Sequence, residues 1–237
     1  MTDRFEGCIG VDGAKRGWIA VWSRDGALSW HVYDRAHALF DAHRQARVIA
    51  VDIPIGLADR DGRQADVQAR KFVGGRRASS IFSSPVRGIL DAASQPEASR
   101  RHREIDGRGF GAQSFAILPK IREWDVLLQA DVHARRTVRE IHPEVSFAAL
   151  NGGIGLVDSK RGFAGAQVRV GLLSQVFGVE PVLELVCAVP RREAATDDVL
   201  DALVALWSAE RIATGQAGSL PAPVVPDSTG LPAAIWY

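Results

Sequence analysis

Residues 7–56 restrict the fold more than any other part of the chain. Three β-type runs, GCIGVDG (7–13), GWIAVWS (17–23) and ALSWHVY (27–33), are separated only by AKR and RDG. Turns this short join neighbouring strands as antiparallel hairpins. DRAHALFDAHRQA (34–46) follows, with Ala36, Leu39, Phe40 and His43 on one side of a helix. RVIAVDIPIG (47–56) is almost wholly apolar, as strands buried on both faces of a parallel sheet are. A three-strand meander, a helix and a strand parallel to the first predict an α/β fold with a mixed sheet flanked by helices.

Residues 57–135 depart from that pattern. They are rich in Arg, Ser and Gly, with helical spacing near 63–72, 96–105 and 114–131. Between 60 and 108 there are eleven Arg or Lys against six acids, a local basic surplus. No flexible linker bounds the segment, so it reads as a basic helical insertion within a single domain, 1–237. TVREIHPEVSFAAL (137–150) returns to a strand followed by a helix with Pro143 in its first turn. A loop containing GGIG and DSKRG leads to a helix over roughly 164–177. PVLELVCAV (181–189) reads as a strand and TDDVLDALVALWSAERIATG (196–215) as a long helix. The final AAIWY is expected to dock on the body.

The formal net charge is +1, so no global field points to nucleic acid or a membrane surface. Cys8 and Cys187 lie in apolar runs without metal-type spacing and read as reduced core residues of a cytoplasmic protein. MTDRFEG is too polar for a leader, and the apolar stretches fall short of the roughly 18 residues a membrane span requires. A soluble chain without a membrane partner is expected.

Four sets of acids then call for an explanation. Asp12 ends the first strand between bare glycine backbone, where a turn carboxylate bonding nearby N–H groups is the simplest account. Asp52 follows four apolar residues, and Pro54 ends ladder pairing two positions later. A strand parallel to the first would put Asp52 one strand spacing, about 4.8 Å, from Asp12. Two such carboxylates repel unless a proton or cation lies between them, and an arginine from the insertion could equally neutralise Asp52. In TVREIHPE, strand alternation groups Val138, Glu140 and His142 on one face. Glu144 reads as a first-turn acid facing the helix dipole, and His142 as a group that bonds and orients its neighbours.

On the last helix, Asp198, Asp201, Ala202, Ala205 and Ala209 fall in one narrow stripe, while apolar residues cover most of the rest. An alanine stripe lets a helix lie close to a sheet. Asp197 and Asp198 can be dipole-favoured acids after an N-cap at Thr196, but Asp201 lies too deep for that, and a buried acid needs a partner or a metal. Clustered carboxylates without His or Cys suit Mg²⁺ or Mn²⁺. Two such ions about 4 Å apart serve in-line phosphoryl displacement. The expected cofactor is therefore Mg²⁺ or Mn²⁺, held by Asp12, Asp52, Glu140, Asp198 and Asp201.

IGVDGAKRGW, VDIPIGL, EIHPEVSF and TDDVLDALVALWSAERI, in this order, resemble a domain-of-unknown-function family whose members are predicted ribonuclease H-like nucleases. SSIFSSPVRGIL, GFGAQSFAILPKIREWD and KRGFAGAQVRVGLL extend the resemblance over nearly the whole chain. More distantly the pattern is similar to Holliday-junction resolvases. Their acids lie on the first strand, at the fourth strand and twice on a late helix, which implies matching roles for Asp12, Asp52, Asp198 and Asp201. Other proteins of that fold carry a Glu on the fifth strand, where Glu140 would fall. The resemblance implies a metal-dependent nuclease.

No basic or aromatic stripe for nucleic acid is visible outside the insertion. There Arg70, Arg76 and Arg77 lie among glycines and serines in a composition suited to gripping phosphates. A solvated basic loop accounts for the same residues. Gln113 and Lys120 are expected near the site, and Lys15 is a turn residue that can face a phosphate. Two other functions remain open. The Asp-Gly strand end before a hairpin also opens sugar-kinase and actin-like phosphotransferases, although their nucleotide sits between two such lobes and one is visible here. A non-catalytic module, its acids neutralised by insertion arginines, is the other. Nucleic acid is the partner expected for the nuclease, and the sequence leaves both a single chain and a homo-oligomer open.

Overall fold

A computed structural model describes residues 4–160 and 162–237, with Arg76 described by its backbone alone. The meander forms as its turns dictate: β1 (Cys8–Ala14), β2 (Gly17–Arg24) and β3 (Ala27–Tyr33) pair antiparallel in sequence. Helix α1 (Ala36–Ala42) leads to β4 (Val48–Val51), which pairs parallel to β1 with Val11 opposite Val51. The helices α2 (Gln64–Val73), α3 (Gln95–Asp106), α4 (Ala112–Ala116), α5 (Leu118–Ala130) and α6 (Val132–Thr137) precede β5 (Val138–Glu140). β5 lies parallel to β4, completing a five-stranded mixed sheet of order β3-β2-β1-β4-β5. Then come α7 (Pro143–Leu150), α8 (Phe163–Phe177), α9 (Val179–Ala188) and α10 (Thr196–Ala213). A small hairpin of β6 (Ser219–Leu220) and β7 (Ile235–Trp236) closes the chain, and Trp236 bridges to Ile141 beside β5, so the tail docks as expected.

Strand alternation divides the core between the two faces of the sheet. Ile9, Val11, Ile49, Val51 and Val138 face one layer, with α1 and the Leu118, Ile121, Trp124 and Leu128 face of α5. Trp18 meets Trp124 edge-on at 5.6 Å. Part of the segment read as an insertion is thus a structural layer of the core. Cys8, Val48, Ala50 and Ile141 face the other layer, with α7–α10. The alanine stripe of α10 does what its small side chains permit. Ala202, Ala205 and Ala209 are fully buried, and a Cβ on Gly10 would lie 2.1 Å from the Ala202 carbonyl and the Leu206 nitrogen. Helix backbone and strand backbone therefore touch at Gly10, and only glycine fits there.

Three expectations are corrected. Residues 181–189 lie mostly in α9, not in a strand: Val182 and Leu185 are buried one turn apart while Leu183, Glu184 and Cys187 are exposed. Cys187 is therefore a free surface thiol, and only Cys8 is the core cysteine the sequence suggested. The first turn of α10 is capped at Ala195 and not at Thr196, with the Ala195 N–H donating to the Asp198 carboxylate at 3.0 Å. Among the described residues, no helix is long and apolar enough to cross a membrane.

Candidate functional site

Register and alternation together decide which acids meet. Asp12 shares the face of Cys8 and Gly10, and Asp52 that of Val48 and Ala50, so both point toward α10. The Asp52 N–H donates to the Val11 carbonyl at 3.0 Å, holding the two strand ends side by side. Asp12 is buried and Asp52 half-buried. From the helix above, Asp201 enters the same space with 1% of its surface exposed, and Asp198 lies one turn earlier, half-buried.

The electrostatics reflect that crowding. Burial raises the Asp12 carboxyl well above its usual range, and the charges of Asp52, Asp201 and Asp198 push it further. Burial raises Asp201 to about 7, against the pull of Lys160. Asp198 is raised by burial too, its cap bond to Ala195 opposing. Lys160, in the loop before α8, answers part of this charge. Its Nζ lies 2.5 Å from Asp201 Oδ2 and 3.9 Å from Asp197. Burial works against the ammonium, but Asp201, Asp12 and Asp52 outweigh it and hold it charged. The other oxygen of the same carboxylate, Asp201 Oδ1, is buried and has no hydrogen-bond partner among the described residues.

Lys120 approaches from α5. Its Nζ donates to the carbonyls of Ala14 and Gly17 at 2.8 Å each and lies over the Trp18 ring. Burial lowers its pKa, while Asp12 and Asp198 pull the other way. It clamps the β1–β2 turn and stands at the border of the acids. Lys15 and Arg16 are exposed on that turn.

Glu140 does not join this group. Its register partner is Val51, so it shares the opposite face of the sheet from Asp12 and Asp52. Both its oxygens accept from Arg63 at 2.8 Å, and one also accepts from the Ile55 N–H at 2.7 Å. Burial pushes the Glu140 carboxyl up to about 8, against the pull of Arg63 and of the Ile55 N–H. Alternation within the strand groups Glu140 with Val138, and only the register with β4 decides which face of the sheet they share.

The insertion residues are committed elsewhere. Arg70 donates to the Ile81 carbonyl and the Ser83 hydroxyl. Arg77 donates to Glu144 at 2.7 Å, and Glu144 also accepts from the buried Arg169 at 2.7 Å. The Arg70 and Arg77 guanidiniums, expected to face phosphates, thus bond within the chain. The Arg76 side chain lies outside the described residues. Gln113 is exposed on α4. His142 caps α7, its Nδ1 accepting from the Glu144 N–H at 3.2 Å, which is the orienting part expected of it.

The four remaining carboxylates offer oxygen only, and one buried oxygen is unsatisfied. That donor chemistry fits a hard divalent cation. Among the described residues, no three acidic, His or Cys side chains stand arranged as a ready metal cage. Mg²⁺ does not require one, since it commonly takes one or two carboxylates and keeps several waters. Two surface clefts open at the other end of β1, beside Gly7 and away from the acids.

A family model described as a protein of unknown function, DUF429, matches residues 10–225. No match is found among curated proteins or among solved structures.

Proposed function

The chain belongs to the DUF429 family, and from its acids we propose that it is a Mg²⁺- or Mn²⁺-dependent phosphodiester hydrolase of ribonuclease H-like fold, with nucleic acid as its substrate class. The observation that carries this reading is the convergence of Asp12, Asp52 and Asp201 from two adjacent parallel strands and the helix above them, with Asp201 Oδ1 left without a partner. A meander extended by parallel strands, with acids on the first strand, at the fourth and on a late helix, agrees with the arrangement implied by the sequence resemblance.

In this reading the cation sits among Asp12, Asp52 and Asp201, with one or two of them as direct ligands and the rest reached through its waters, and Asp198 at the rim. A divalent ion bound there supplies charge to a phosphoryl oxygen and lowers the pKa of a bound water. Lys160 adds positive charge beside Asp201, and Lys120 fixes the turn that carries Asp12. Glu140 and Glu144 follow the non-catalytic alternative, since arginines neutralise both.

The test is cleavage of single strands, duplexes, RNA–DNA hybrids and branched DNA with Mg²⁺ or Mn²⁺. At least one substrate is expected to be cut, and Asp12→Asn and Asp201→Asn to lose more than about 100-fold of the rate, beyond the usual effect of groups that only support a ligand. No cleavage of any substrate, or equal cleavage by both variants, would sink the reading.

A further inference from the structure

The loop before α8 was not expected to contribute to the site, yet it delivers a cation into it. Its backbone is seated by specific contacts. Leu156 is buried in the α10 layer. A Cβ on Gly155 would lie 2.0 Å from the Val73 carbonyl, and one on Gly165 would lie 2.0 Å from the Ser159 carbonyl. The Asp158 carbonyl accepts from the buried Arg169 at 3.2 Å. Glycines therefore allow the loop to lie directly against α2 and α8, and Arg169 ties it down. The Lys160 side chain starts from a fixed point and reaches Asp201, forty-one positions along the chain.

At 2.5 Å from Asp201 Oδ2, the Lys160 nitrogen fills the volume a metal ion would take at its own ligand distance of about 2.0–2.2 Å. The opposite oxygen, Oδ1, remains free and buried. The carboxylate is thus divided between one oxygen already bonded by an ammonium and one buried oxygen without a partner. The charge of Lys160 also reaches Asp12 and Asp52, as an ion between the strands and the helix would. Two divalent ions about 4 Å apart need carboxylate oxygens facing both places, and here one of those oxygens is already taken.

We propose that Lys160 permanently holds one of the two cation positions of the acid cluster, so that the site binds a single divalent ion. The inference rests on the metal-dependent reading above and gives it a stoichiometry: one ion held toward Asp12, Asp52 and Asp201 Oδ1, with the ammonium serving as the second positive charge against a phosphoryl oxygen.

The experiment is calorimetric titration of the full chain with Mn²⁺ alone, without substrate, for the wild type, Lys160→Met and Lys160→Arg. One ion in the wild type, two in Lys160→Met and one in Lys160→Arg is the expected result. Two ions in the wild type would overturn the proposal and leave the metal-dependent reading standing, and this outcome needs no variant to fold. One ion in both the wild type and Lys160→Met would also overturn it, because Lys160 would then hold no cation position. No ion in the wild type and one in Lys160→Met would overturn it by making Lys160 a plug that excludes metal. No ion and no thermal shift in any of the three proteins would defeat the metal-dependent reading itself.

Discussion

A carboxylate inside a protein needs a counter-charge, and this chain supplies it in two ways with different consequences. Glu140 has one arginine nitrogen, Arg63 Nη2, donating to both its oxygens and a backbone N–H donating to one, so its partners lie within the fold. Glu140→Gln should therefore destabilise the protein, by up to about 3–5 kcal/mol, by leaving the buried Arg63 with only the more distant Asp66 at 3.7 Å, as urea unfolding will measure. Asp12 is the reverse case. Burial and the charges of Asp52 and Asp201 raise its pKa, and burial raises Asp201 to about 7. The folded state therefore keeps protons that the unfolded chain releases near about pH 4. The stability these groups contribute is full below about pH 4, falls as pH rises toward about 7, and stays low above it. Asp12→Asn removes one of the repelling charges. Without divalent ions it should be more stable than the wild type at pH 8 and equal to it at pH 4. A variant less stable than the wild type at pH 8 would show that Asp12 serves the fold.

At the level of elements, the site depends on how closely α10 lies on β1. Gly10→Ala would drive a methyl into the Ala202 carbonyl, so the helix must lift or shift. A loss of about 1–3 kcal/mol or more is expected in thermal unfolding, with weaker Mn²⁺ binding because Asp198 and Asp201 move with the helix. Much of this contact was legible in the sequence: the alanine stripe announced a close approach, and the alternation of β1 and β4 put Asp12 beside Asp52. The strand assigned to 181–189 failed because a short apolar run has the same composition in a buried strand and in a half-buried helix. Glu140 failed because alternation gives two faces and only cross-strand register says which face is shared. Lys160 carried no periodic signal at all. Its role comes from where a glycine-seated loop ends in space, which spacing along the chain does not encode.

On the scale of the whole molecule, the sheet separates two chemistries. One layer, with α1 and α5, is apolar around Trp18 and Trp124 and borders the Arg63–Glu140 pair. The other layer carries the acids at the C-terminal ends of β1 and β4, beneath α10. The arginines of the middle segment join these parts. Arg87 bridges Asp125 on α5 and Asp227 in the tail, and Arg77 reaches Glu144 on α7. Arg77→Ala should accordingly lower stability by about 1–3 kcal/mol, by leaving Glu144 with Arg169 alone, as a melting curve will read. An unchanged melting temperature would return Arg77 to the role of a free phosphate contact. If the acids form a cation centre, anomalous diffraction from crystals soaked in Mn²⁺ will show manganese density bounded by the carboxylates of Asp12, Asp52 and Asp201. Well-ordered carboxylates with no density among them, at Mn²⁺ concentrations that saturate ordinary sites, would contradict it.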